Sequence, residues 1–182
     1  MIEKLIIENG VLKEYSGNES SFIIPENVTE IGEGAFSDYR GKIIILPNTI
    51  HTICQCAFIR SDLRVIVIPS SVKTIKNDAF IDSFDLTDIV FTTGLKEIGD
   101  GAFSNTDCRV IKLPDGLLSI GKEAFSDCIS LETVYVPSSV RTIGDGAFAE
   151  CPNLKSVTIP ISFKGRDSFI FGNNNQVRIN YF

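Results

Sequence analysis

Apolar positions along this 182-residue chain return every 22 or 23 residues. The pair Ala-Phe stands at 35–36, 57–58, 79–80, 102–103, 124–125 and 147–148, with Ile170-Phe171 as a seventh copy. Prolines keep the same interval at Pro25, Pro47, Pro69, Pro114, Pro137 and Pro160, while Thr92 takes the fourth place. Three residues beyond that position come Val28, Ile50, Val72, Leu95, Leu117, Val140 and Phe163. Three further on come Ile31, Ile53, Ile75, Ile98, Ile120 and Ile143, until Arg166 breaks the series. Six residues before the proline position stand Leu63, Leu86, Cys108, Leu131 and Leu154. The segment before each proline alternates or is wholly apolar, as in Val65-Ile66-Val67-Ile68, and is rich in β-branched residues, so it reads as a strand. Proline lacks the ladder donor and ends that strand. The shorter V-x-x-I segment is a second strand that pairs only with the next coil. Gly32, Gly99, Gly121 and Gly144 are expected to permit a turn that other residues would strain. The Ala-Phe segment is expected to form one helical turn, with phenylalanine plugging the coil interior.

The unit is L-x-x-V-x-I-P-x-x-V-x-x-I-G-x-x-A-F-x-x-C, and so strict a register marks a repeat architecture. It resembles the BspA-like leucine-rich repeat family over about residues 20–182. The opening LIIENGVLKEYSG at 5–17 resembles the N-terminal cap hairpin of such proteins. Asn9-Gly10 suits its tight turn, where both central residues need positive φ. The expected fold is an α/β repeat solenoid: a right-handed leucine-rich-repeat-like coil with a parallel β-sheet on the concave face. Short second strands, single helical turns and the β-hairpin cap complete it. One domain is expected, with the cap over 1–21, about seven coils over 22–171 and a closing strand over 172–182. The Gly172-Asn173-Asn174-Asn175 run marks a degenerate last coil, and Val177–Tyr181 alternates like an edge strand. Seven coils stacked at about 4.8 Å make a body on the order of 35 Å long.

Hydrophobic residues make up 43% and charged residues 22%, an ordinary globular mixture. No run approaches a membrane span, and MIEKLIIENG is not a signal peptide. As written the chain is cytoplasmic, or secreted or at the cell surface if a leader has been removed. The net charge is −6, and residues 1–39 hold all of it, with eight acids against Lys4 and Lys13. Without a basic cluster, nucleic acid is excluded as a partner.

The residues that could carry chemistry mostly sit on repeat positions. Gly-Asp-Gly at 99–101 and 144–146 and Gly-Glu-Gly at 32–34 are followed by Ala-Phe rather than the Lys-Ser/Thr of a phosphate loop, so they read as turns. His51, Cys54 and Cys56 have metal-ligand spacing but no fourth ligand nearby; the alternative is a local turn variant. Cys128 and Cys151 share one slot in adjacent coils, which permits a disulfide; buried free thiols are the other reading. Cys108 falls on the leucine slot. An odd count of five cysteines without a framework spacing favours free thiols. The lone histidine, His51, has no matching serine or acid in the repeat frame, so no hydrolytic triad is visible. Asn18-Glu19-Ser20 and Asn27-Val28-Thr29 match glycosylation sequons. No cofactor and no metal is expected.

Function is sought where the copies differ. Two residues before the proline position lie Ile23, Ile45, Val67, Val90, Lys112, Tyr135 and Thr158. Four before it lie Ser21, Ile43, Val65, Asp88, Val110, Thr133 and Ser156. These columns face outward, and the first coils fill them with aliphatics. Such a patch marks an interface, unless the aliphatics serve strand propensity or lie under the N-terminal hairpin. The leading expectation is a non-catalytic protein-interaction module binding a partner through Ile43, Ile45, Val65, Val67, Val90 and Val110. Tyr135, Lys42, Arg64 and Arg109 form its rim. The alternative is a structural protein that forms homo-oligomers through the same face. The family resemblance implies surface adhesion or binding of host proteins, in bacteria and some protists. The partner's identity is not written in the sequence.

Overall fold

The structure is a computed structural model that describes residues 4–17, 19–174 and 176–182. The Asn18-Glu19-Ser20 sequon therefore begins outside the described residues.

Numbered in chain order, the strands before the proline positions are β3 (Ser21–Ile23), β5 (Ile43–Ile45), β7 (Val65–Ile68), β9 (Asp88–Phe91), β11 (Val110–Lys112), β13 (Thr133–Tyr135) and β15 (Ser156–Ile159). The closing strand β16 (Arg178–Tyr181) takes the same place in an eighth turn. The two-residue strands are β4 (Glu30–Ile31), β6 (Thr52–Ile53), β8 (Thr74–Ile75), β10 (Glu97–Ile98), β12 (Ser119–Ile120) and β14 (Thr142–Ile143). Coil after coil pairs in parallel, so the chain is a β-solenoid of about eight turns. At its start, β1 (Leu5–Glu8) and β2 (Val11–Tyr15) pair antiparallel around Asn9 and Gly10, whose φ values are 51° and 79°. This hairpin joins the short strands through β2 and β4 and extends them to an eight-stranded sheet.

The six phenylalanines of the Ala-Phe pairs form a single file through the interior. Successive ring centroids from Phe36 to Phe148 lie 5.1, 4.8, 4.9, 5.2 and 5.4 Å apart, with the planes 5–8° from parallel. Each of these rings is wholly buried. Tyr15 closes the file at one end, 5.4 Å from Phe36, and Phe171 at the other, 6.0 Å from Phe148. The isoleucines at 31, 53, 75, 98, 120 and 143 are buried beside them. The interior is therefore contiguous, and each coil covers the apolar residues of its neighbours.

Three expectations change. First, the Ala-Phe segments are linked turns rather than regular helix; only the last coil forms one, α1 (Asp167–Phe171). The backbone alternates its bonds there. Ala35 N donates to Gly32 O within the turn at 3.2 Å, and Phe36 N donates to Ala57 O in the next coil at 2.8 Å. A continuous helix would leave no donor for the neighbour. Second, Gly99, Gly121 and Gly144 are demanded by close approach. A Cβ at Gly121 would lie 2.4 Å from Asp100 N, and one at Gly144 would lie 2.4 Å from Lys122 N. The left-handed turn comes two residues later, at Gly34, Cys56, Asp78, Gly101, Glu123 and Gly146, all with φ between 53° and 68°. Third, the expected single sheet of main strands is two four-stranded sheets, β3-β5-β7-β9 and β11-β13-β15-β16.

Two local departures from the repeat coincide with the break. Thr92 replaces proline and donates both its N–H (3.2 Å) and its hydroxyl (2.8 Å) to Ile68 O. β9 is thereby held to β7 along four residue pairs. The spacing from phenylalanine to the leucine slot also shortens, from six residues (Phe80 to Leu86) to five (Phe103 to Cys108). No other consecutive coils step down in this way.

Candidate functional site

In β3, β5, β7 and β9 every second residue points inward, and the residues between them face solvent. Register sets Ile23 beside Ile45, Ile43 beside Val65 and Val67 beside Val90. The outward side chains remain open: Ile23 is 68% exposed, Ile45 51%, Val67 48%, Val90 47% and Val110 59%. Ile43 and Val65 are exposed beside them. The expected columns are thus brought together on one face. The N-terminal hairpin extends the other sheet, so the reading in which it covers these aliphatics is overturned. Tyr135 stands at the far end of the face, its ring 6.1 Å from that of Phe182.

The expected rim is partly engaged in internal ion pairs. Lys42 Nζ lies 2.8 Å from Asp85 and 3.6 Å from Asp62. Its hydrogen bond is the main cause that holds the Asp85 carboxyl below its ordinary value. Arg109 meets Glu132 at 2.7 Å, and Lys155 meets the other carboxylate oxygen at 3.0 Å. Hydrogen bonds from these two cations keep Glu132 ionised further into acid. Arg64 makes no ion pair among the described residues. Ion pairs this exposed are screened by solvent, so they set side-chain positions more than stability.

The remaining candidates resolve as parts of the scaffold. His51 is exposed, and its ring makes no hydrogen bond among the described residues. Cys54 donates its thiol to Glu30 at 3.1 Å. Burial, followed by that bond, pushes it up to about 12. Among the described residues, no group of three or more His, Cys, Asp and Glu side chains could hold a metal ion. All five cysteines are free. Cys128 and Cys151 belong to an internal row with Ser83 and Asn174. Each of these side chains donates to the carbonyl of a phenylalanine in the preceding coil: Ser83 to Phe58 (2.9 Å), Cys128 to Phe103 (3.4 Å), Cys151 to Phe125 (3.2 Å) and Asn174 to Phe148 (2.8 Å). In these four coils the slot is a capping position, while Tyr39, Ser61 and Thr106 fill it with other hydrogen bonds. Contact with Cys128, then burial, pushes the Cys108 and Cys151 thiols up. Gly34, Gly101 and Gly146 occupy the left-handed slot, which accounts for the Gly-x-Gly triplets. No helix among the described residues is long and apolar enough to cross a membrane.

Columns of the repeat pointed to the face and included Lys112, but they missed Phe91, which lines a cleft with Val110, Lys112 and Tyr135 beside the point where the main sheet divides. The signal was present in Thr92, the one departure from the proline series.

Comparison with known proteins agrees with this architecture. No curated protein matches. Among solved structures, a leucine-rich repeat protein of T. pallidum is 28% identical, superposes with a TM-score of 0.70, and is matched over 98% of this chain and 78% of its own. A leucine-rich repeat protein of Eubacterium ventriosum is 22% identical with a TM-score of 0.58, matched over 85% of this chain and 41% of its own, and shows the fold alone. These comparisons indicate no enzyme family. The sequence profile of the BspA type leucine rich repeat region matches 6 copies over residues 6–128 and 96–182, so the chain belongs to the BspA-type leucine-rich repeat family.

Proposed function

We propose that this chain is a non-catalytic protein-interaction module that docks a partner on the outward face of β3, β5, β7 and β9. The observation that carries this reading is the in-register pair of aliphatic columns left open to solvent. A face serving strand propensity alone would alternate its aliphatics with threonine or charged residues, as the later coils do at Thr133, Thr158 and Ser156. Covering the open half of one such side chain contributes roughly 1 kcal/mol. Six of them, Ile23, Ile43, Ile45, Val65, Val67 and Val90, are enough for a specific interface once the cost of association is met. Membership of the family favours a surface-associated setting, and adhesion to a host protein is the form of interaction it suggests.

Affinity capture with wild-type protein and with the Ile45→Glu/Val67→Glu variant tests this reading. Both positions are exposed, so the variant folds, and its partner binding is lost. Light scattering of the same two proteins separates a foreign partner from a second copy. A wild type that self-associates, with a monomeric variant, assigns the face to homo-oligomers. Partner capture unchanged by the two glutamates refutes docking on this face.

A further inference from the structure

Neighbouring main strands are joined by backbone hydrogen bonds except β9 and β11. The entry bond repeats elsewhere, from Arg64 N to Lys42 O (3.0 Å), Thr87 N to Arg64 O (3.0 Å) and Glu132 N to Arg109 O (2.9 Å). Between Arg109 and Thr87, which are both described, it has no counterpart. The short-strand sheet runs unbroken past this point through β8, β10 and β12. The coils therefore stay bonded through the short strands and the turns and lack only the ladder of their main strands. Beside this junction, over β11 and β13, lies a cleft of about 640 Å³ lined by Val110, Lys112, Asp115, Thr133 and Tyr135, with Phe91 of β9 at its edge.

The chemistry of this cleft differs from the rest of the face. Lys42, Arg109 and Lys155 have carboxylate partners within the chain, while Arg64, which has none among the described residues, stands beside the aliphatic columns without an aromatic wall. Lys112 is exposed in the outward column after Val90, and among the described residues it makes no ion pair. An ammonium with no partner, set among apolar and aromatic walls, selects a carboxylate from outside. Asp115 on the same wall opposes a polyanion such as nucleic acid. β9 and β11 form no ladder with each other but remain neighbours, so the cleft is bounded by two strands and is open along their length.

Resting on the interaction face described above, we propose that this cleft holds an extended acidic segment of the protein partner. One carboxylate of the segment pairs with Lys112, and an adjacent large apolar side chain seats against Phe91, Val110 and Tyr135. Fluorescence polarisation with blocked hexapeptides tests this, using one that alternates leucine with aspartate and one that alternates leucine with lysine. Wild type binds the aspartate peptide and not the lysine peptide, and added salt weakens the binding. Lys112→Gln weakens it at least about tenfold, and Lys112→Glu reverses the preference. Melting temperature checks that both variants fold, which exposure of Lys112 favours. Equal binding of both peptides, or an aspartate peptide that ignores Lys112→Gln, overturns the proposal. If no peptide binds while Ile45→Glu/Val67→Glu still abolishes partner capture, the cleft proposal falls and the face survives. If the aspartate peptide binds through Lys112 while capture is untouched by the double variant, the cleft survives and the wider face falls.

Discussion

Replacing Phe103 by alanine tests the interior file most directly. The ring is wholly buried. It stacks on Phe80 at 4.9 Å and on Phe125 at 5.2 Å, and Phe91 meets its edge at 5.7 Å and 89°. Truncation forfeits the transfer energy of a buried aromatic and leaves a cavity, which together cost about 3–5 kcal/mol. The amount depends on how far the site collapses. Here collapse is opposed from both sides, because Phe80 N donates to Ala102 O and Phe103 N to Ala124 O, both at 2.8 Å. These bonds fix the rise of the rungs, so the loss belongs at the upper end of that range. Phe171 provides the internal control. It has one file neighbour, at 6.0 Å and 27°, and an end that yields, so Phe171→Ala costs about 2–3 kcal/mol. Urea denaturation followed by circular dichroism measures both, with the m-value checking that the transition stays two-state. A Phe103→Ala penalty below about 2 kcal/mol, or one no larger than that of Phe171→Ala, refutes the file as the source of stability.

Gly121→Ala and Gly34→Ala separate two reasons for glycine. The first puts a Cβ 2.4 Å from the backbone of the preceding coil, whereas the second meets nothing within 4 Å and suffers only from φ of 62°. Gly121→Ala is therefore the more destabilising by at least about 1 kcal/mol, and equal melting temperatures would contradict the close-approach argument. Cys54 gives a test by pH. A thiol raised from 9.0 to about 12 carries on the order of a thousandfold less thiolate at pH 8, so native Cys54 resists iodoacetamide there and reacts only in strong alkali or after unfolding. Fast modification at pH 8, read by mass spectrometry, speaks against its bond to Glu30.

Much of this was legible because a coil writes each interior position at a fixed interval. The interval of Phe36, Phe58 and Phe80 led directly to the stacked rings, and the strand before each proline formed where β-branched residues cluster. What the pattern hid was the reason behind some positions. Gly121 looked like a flexible joint and is a contact point. The left-handed position two residues later is held in places by Cys56 and Glu123, whose types do not advertise positive φ, and a second one falls two residues after each phenylalanine, at Arg60 and Glu150 among others. The helical turns expected at Ala-Phe were overridden by bonds to the next coil, a tertiary effect beyond local propensity. The outward columns were readable from alternation alone. The cleft was not, because it arises from two small departures, Thr92 and a segment one residue shorter, whose effect appears only once neighbouring coils are laid side by side.

The missing ladder between β9 and β11 also bears on mechanics. Rungs joined in series share any bending load, and flexure gathers at the softest junction. With two rows of backbone bonds, the short strands and the Ala-Phe turns, where its neighbours have three, that junction is the most pliant of the rod on the side of the main strands.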